Sequence, residues 1–159
     1  MTQGAYAGAL PMWTPFAWLL PPSLRRKVKD FFVYHTNFLP LAASATTTNT
    51  IAIEADSDFL ITEIRAIVTD TTNLVFTANA NAPILLVLED TGSGRRFQNQ
   101  AIHLDAARLP ANPPGYLPFA KLVRANSVIA VQLQNLDGVN AWNVRFGLWG
   151  FKVFTAMNE

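Results

Sequence analysis

Apolar and polar residues alternate most regularly near the C-terminal end of the chain. In residues 127–135, Ile129, Val131 and Leu133 fall on one side, and Gln132 and Gln134 fall on the other. That period of two is the signature of a half-buried β-strand. Residues 141–155 repeat it, with Trp142, Val144, Phe146 and Leu148 opposite Asn143, Arg145 and Gly147. Between the two runs lies Leu136-Asp137-Gly138-Val139-Asn140. Its Asp-Gly pair suits a turn with φ > 0, so the two runs are expected to form a hairpin. Near Gly150 the pattern changes, because Trp149, Phe151 and Val153 make the second face apolar as well. A strand apolar on both faces is central in its sheet or is covered by another chain.

The preceding sequence supplies further strands. Residues 31–39 are aromatic and end at Pro40, and a Thr/Asn run over 46–50 leads into Ile51 and Ile53. Residues 58–70 form a long strand whose apolar set moves from Phe59 and Ile61 to Ile64, Ala66 and Val68. A bulge near Glu63 accounts for the switch. Residues 70–82 read as a loop, with Leu74-Val75-Phe76 as a short strand inside it. The compact run 83–89 ends at the turn Asp90-Thr91-Gly92-Ser93-Gly94, after which Arg95-Arg96-Phe97 resumes as its partner. Residues 101–104 are a further short segment, 105–118 a proline-rich connection, and 121–125 the approach to the first run. About eight strands at this spacing predict an all-β antiparallel sandwich. An eight-stranded jelly roll is the leading architecture over residues 31–159, ahead of an immunoglobulin-like sandwich.

Residues 1–30 are different in kind. From Ala5 to Pro22 there is no charge, and Pro11, Pro15, Pro21 and Pro22 interrupt the run. A secretory signal carries its basic residues before the apolar stretch, whereas Arg25, Arg26, Lys27 and Lys29 follow it here. A membrane-spanning helix is set aside because two internal prolines break its backbone ladder. The stretch reads as an extended apolar arm that lays Trp13, Phe16, Trp18, Leu19 and Leu20 on a protein surface. That surface belongs either to the chain's own sheet or to a neighbouring subunit. Ser23 is a suitable N-cap, and Leu24, Val28 and Phe31 follow at helical spacing, so a short helix is expected over 23–30. Its basic face (Arg25, Arg26, Lys27, Lys29) reads as solvated, with an acidic partner or nucleic acid as the functional alternative.

Composition sharpens the assembly reading. Half of the residues are hydrophobic and only 14% are charged, against roughly 25% in average globular proteins. A chain so poor in charge is expected to cover part of its surface with partners. The formal charge of +1 gives no overall attraction to nucleic acid. Without cysteine, disulfides, thiolate nucleophiles and Cys-based zinc sites are excluded.

Candidate chemistry is sparse. The glycine-rich turn at 90–95 lacks the Gly-Lys-Ser/Thr ending of a phosphate-binding loop. Glu54, Asp56 and Asp58 alternate on one side of an extended chain but lack the glycine and distal glutamate of a calcium loop. They read as a solvated acidic turn. His35 and His103 have no ligand companions at metal-binding spacing, and no Gly-x-Ser-x-Gly elbow is present. No catalytic residue, cofactor, metal site or small-molecule substrate is expected, and the chain reads as a non-enzyme.

The succession Asp58-Phe59-Leu60-Ile61, Asp90-Thr91-Gly92-Ser93-Gly94-Arg95, Ala125-Asn126-Ser127-Val128-Ile129, Asn135-Leu136 and Gly150-Phe151-Lys152-Val153-Phe154 resembles small virion structural proteins of tailed bacteriophages. The resemblance spans about residues 31–154 and rests on turn and strand signatures. It implies a jelly-roll-like capsid cement or decoration protein that binds major capsid protein and itself, as a dimer or trimer. Such a protein acts in the virion after assembly in the bacterial host cytoplasm. A tail or neck component and a virion carbohydrate-binding module are the alternatives it leaves.

Overall fold

A computed structural model describes residues 28–71, 82–107 and 116–154. These hold β1 (Val28–Leu41), β2 (Thr46–Ala52), β3 (Asp58–Asp70), β4 (Ile84–Asp90), β5 (Arg95–Arg96) and β6 (Ile102–His103). A single helical turn, α1 (Leu104–Ala107), precedes β7 (Tyr116–Val123), β8 (Val128–Asn135) and β9 (Trp142–Val153).

Two antiparallel sheets pack face to face. The first has the order β1-β9-β3-β7, and the second β2-β8-β4-β5, with β6 also pairing β4. If β5 and β6 are counted as one interrupted strand, each sheet has four strands. The chain crosses between sheets at nearly every connection. That is the winding of a jelly roll, which an immunoglobulin-like sandwich does not share.

The core lies where the two inner faces meet. Phe38, Phe59, Ile61, Ile64, Val144, Phe146 and Leu148 from the first sheet pack with Ile51, Ile84, Leu86, Leu88, Ile129, Val131 and Leu133 from the second. Tyr34 and Phe59 meet edge to face, with ring centroids 4.8 Å apart. The Tyr34 hydroxyl accepts a hydrogen bond from the Glu54 amide at 3.2 Å. In this way the aromatic edge of the core is tied to the β2–β3 turn.

The expected bulge is present. Ile61 pairs with Gly150 and Glu63 with Trp149, which leaves Thr62 as the additional residue. The Thr62 hydroxyl donates to the Trp149 carbonyl at 3.2 Å. Beside the bulge, a Cβ added to Gly150 would lie 2.0 Å from the Leu60 carbonyl oxygen. Only a residue without a side chain permits that approach.

Four expectations need correction. The runs that became β8 and β9 do not form a hairpin, because β8 pairs with β2 and β4 while β9 pairs with β1 and β3. Their connection is a crossover between sheets. Among the described residues, positive φ occurs at Ser44, Gly94 and Asn126, not at Gly138. Side chains shape the crossover instead. Asn135, almost fully buried, donates through Nδ2 to the carbonyls of Ala42 (3.0 Å) and Asn140 (2.8 Å), and accepts from the Asp137 amide at 2.9 Å. Asp137 in turn accepts from the amides of Val139 and Asn140.

The second correction concerns the short helix over 23–30. Val28, Lys29 and Asp30 are already part of β1, which pairs with β9 from Val28 opposite Val153. A ladder partner outweighs the weak helical propensity there. Residues 23–27 lie outside the described set. Third, β1 does not stop at Pro40 but continues to Leu41 across a register shift after Phe38. Proline lacks a donor, and an edge strand tolerates that loss. Fourth, the proline-rich connection begins with α1 and ends where β7 starts at Tyr116. The strand expected at Leu74-Val75-Phe76 lies outside the described residues.

Replacing Gly150 with alanine tests the close approach. The added methyl meets backbone that cannot swing aside. The expected loss lies at or above the top of the roughly 1–3 kcal/mol that overpacking costs. Alanine at Gly92, where the nearest atom would be 3.5 Å away, should cost much less. Urea denaturation of both variants makes the comparison.

Candidate interaction surface

The outer face of the β1-β9-β3-β7 sheet carries the most distinctive surface among the described residues. Alternation along each strand turns every second residue outward. Backbone pairing aligns those residues in rows across the sheet. One row runs Phe31, Phe151, Leu60 and Leu122, and the next runs Val33, Trp149 and Glu63. A third contains His35, Gly147 and Arg65, and Ile67 follows beside Arg145.

Three apolar residues of this face are exposed. Phe31 is 57% exposed, Ile67 42% and Leu122 38%. Beneath them, Leu60 and Val153 are buried, with the partly buried Ala120 and Phe151 packed against them, in a cluster separate from the main core. Phe31 sits 5.6 Å from Trp149 and 5.9 Å from Phe151 between ring centroids, in tilted and edge-on arrangements. Such pairs add to the stability gained by burial alone.

A charged pair is set into the aromatic group. The Arg65 guanidinium lies 4.0 Å from the centre of the Trp149 ring. It also grips the buried Glu63 carboxylate with two hydrogen bonds, from Nε to Oε1 and from Nη2 to Oε2 at 3.1 Å. The planar fork of arginine suits both tasks at once. Gly147 makes room for the arrangement, since a Cβ there would come within 3.1 Å of Trp149 Nε1.

The outer face of the other sheet contrasts with this one. Thr46 and Gln134 share a row with Leu85 and His103, Thr48 and Gln132 share one with Val87, and Thr50 aligns with Ala130 and Glu89. Gln132 donates to the Thr48 hydroxyl at 3.3 Å, and Arg96 pairs with Glu89 at 3.3 Å. This face is mainly a solvated hydroxyl, amide and ion-pair surface.

At one end of the sandwich, Lys152 points inward from β9 and is almost completely buried. Its ammonium donates to Glu54 and, at 3.0 Å, to Asp56 Oδ2, and it lies 4.4 Å from the centre of the Phe32 ring. The hydrogen bond to Glu54 and then that to Asp56 outweigh desolvation and raise the Lys152 pKa. The Ser57 hydroxyl and then Lys152 hold the Asp56 carboxyl below its usual range. Asp58 turns elsewhere and accepts from the Ala125 amide at 2.9 Å. Two of the three carboxylates expected as a solvated acidic turn therefore clamp a lysine. Among the described residues, no cluster of three or more His, Cys, Asp or Glu is placed to hold a metal.

The other candidate features separate in the same way. The glycine-rich turn is closed by its own Asp90, which accepts from the Gly92 amide at 3.1 Å and the Ser93 hydroxyl at 2.8 Å. A carboxylate in that position opposes a bound phosphate. His35 and His103 lie on different sheets. Among the described residues no helix is long and apolar enough to cross a membrane.

Trp13, Phe16, Trp18, Leu19, Leu20, Arg25, Arg26 and Lys27 lie outside the described residues, as does the side chain of Lys29, although its backbone is in β1. The aromatic face itself was not singled out from sequence. Its trace was there in the second apolar set of β9, Trp149, Phe151 and Val153. No protein-family model, no curated protein and no solved structure matches the chain.

The lysine clamp generates a prediction. Lys152→Met keeps an apolar stem in place and leaves two half-exposed carboxylates free to hydrate. Glu54→Gln combined with Asp56→Asn strands a buried ammonium and should destabilise more. The pH dependence follows from the shifts. Asp56 contributes fully above its unfolded value of ~3.9 and loses that contribution as pH falls through its lower folded value. Lys152 contributes fully below ~10.4 and loses its part only as pH rises through its raised folded value. Urea denaturation across pH should show a constant wild-type advantage over Asp56→Asn from about pH 5 to 9. That advantage should shrink as the solution is taken below ~3.9.

Proposed function

We propose that this chain is a structural component of a tailed-phage particle, acting by docking and not by catalysis. The specific reading is a capsid cement protein that binds major capsid protein and itself, and so stabilises the head. It would be assembled in the bacterial host cytoplasm and reside in the virion. The observation that carries the docking reading is the asymmetry of the sandwich. One outer face exposes Phe31, Leu122 and Ile67 around a Trp149–Arg65 stack, while the other displays threonine, glutamine and ion pairs. Aromatic residues and arginine are the side chains that dominate protein–protein contacts. The phage context comes from the resemblance of the turn and strand signatures.

The carbohydrate-binding alternative is less well supported by the same geometry. A sugar platform needs a free aromatic ring face, and Arg65 covers one face of Trp149 while Phe31 crowds it from β1. The notable polar groups are also engaged internally, Lys152 by its carboxylates and Asn135 by loop carbonyls. That favours binding over catalysis.

Adding the purified full chain to particles that lack it should raise the temperature at which they release DNA. Imaging should place it on the head. A Phe31→Asp/Leu122→Asp variant should fold, since both residues are exposed, but should decorate at least tenfold more weakly. A full-length protein that neither decorates nor stabilises particles would sink the cement reading. Density at the neck or tail would move the protein to the alternative position.

A further inference from the structure

We propose that the outer face of the β1-β9-β3-β7 sheet is the seat of the chain's own apolar segment, residues 5–22. The inference deepens the assembly reading and rests on it for its biological use, while its test needs no particle.

Where the segment ends is the first argument. Pro22 is separated from Val28, the first residue of β1, by residues 23–27 alone. β1 is the edge strand of this sheet. Val28 pairs with Val153 and Phe31 with Phe151, so the chain enters the sheet beside the aromatic row. Reach is sufficient. Residues 23–27 extend up to ~16 Å, about the width of four strands spaced ~4.8 Å apart. Residues 5–22 in a polyproline conformation span up to ~56 Å, at ~3.1 Å per residue.

Chemistry is the second argument. Residues 5–22 bear no charge and offer Trp13, Phe16, Trp18, Leu10, Leu19 and Leu20. In the two rows nearest the entry point, Phe31, Val33, Trp149, Phe151, Leu60 and Leu122 surround Glu63, whose carboxylate Arg65 neutralises from the adjoining row. An uncharged ligand therefore meets no uncompensated carboxylate there. The prolines decide how it binds. Pro11, Pro15, Pro21 and Pro22 lack the amide donor needed to add a strand at a sheet edge. Strand addition would forfeit a donor at each of these positions, whereas attachment through side chains on a face forfeits none, which favours the face. Three aromatics bury about 450–750 Å² in all, a modest area that a covalent tether makes sufficient by keeping the effective concentration high.

The test is photo-cross-linking within the full chain. A benzophenone-bearing phenylalanine replaces Phe31, and in a control it replaces Thr48 on the opposite sheet. Both positions are exposed, so circular dichroism and cooperative unfolding should match wild type. Peptide mapping should find the Phe31 cross-links within residues 5–22, at least tenfold above the Thr48 control. Trp13→Asp/Trp18→Asp in the same chain should reduce them about tenfold. Cross-links from Phe31 into the strands of a second copy would overturn the proposal, because they would mean that two faces meet directly. Absence of any product within residues 5–22 would overturn it as well. A chain that cross-links as expected yet fails to decorate particles refutes the cement reading and leaves this inference standing.

Discussion

β9 has a neighbour on each side and apolar residues on each face, and most of the molecule follows from satisfying both demands. Its backbone is claimed by β1 and β3 along nearly its whole length. Its inner residues Val144, Phe146 and Leu148 enter the core. At Gly150 the strands approach so closely that no side chain fits against the Leu60 carbonyl. The bulge at Thr62 follows immediately on β3 and shifts that strand's alternation by one. Ile64, Ala66 and Val68 then face the core, and Glu63 and Arg65 turn outward to meet Trp149. One local irregularity thus sets both the packing inside and the charged aromatic group outside.

Much of the fold was legible because the strands report their own period. The switch from Ile61 to Ile64 located the bulge, and the double apolar pattern of β9 marked it as central. Asp90 through Gly94 proved to be a hairpin turn, with Asp90 opposite Arg95 and Gly94 at positive φ. The crossover between β8 and β9 was not legible. An Asp-Gly pair between two alternating strands reads as a hairpin, and pattern alone does not say which sheet each strand joins. What separates them is the set of hydrogen bonds from Asn135 to Ala42 and Asn140. The contact with Ala42 joins residues distant in sequence, and a local reading has no access to it.

The candidate surface was legible only in part, for a related reason. Trp149, Phe151 and Val153 signalled an outer apolar face, yet Arg65 gains its significance from register. It lies opposite Gly147, whose missing side chain leaves the space occupied by the indole. The acidic turn shows the same limit. Glu54 and Asp56 alternate as solvated carboxylates do, but Lys152, from the far end of the chain, converts them into a clamp.

These internal pairings bear on how so weakly charged a chain presents itself to its surroundings. Glu63 and Arg65 neutralise one another, and Lys152 is enclosed by carboxylates. Such charges stabilise or orient the fold but provide little net field at the surface, and the formal charge of +1 agrees with that. What the described surface offers a neighbour is then mainly shape and apolar contact. An exposed aromatic face is an aggregation hazard unless something covers it, and sheet strands with open edges add to the hazard. The polar face of this sandwich carries little of that hazard, so it falls on the face of Phe31, Ile67 and Leu122.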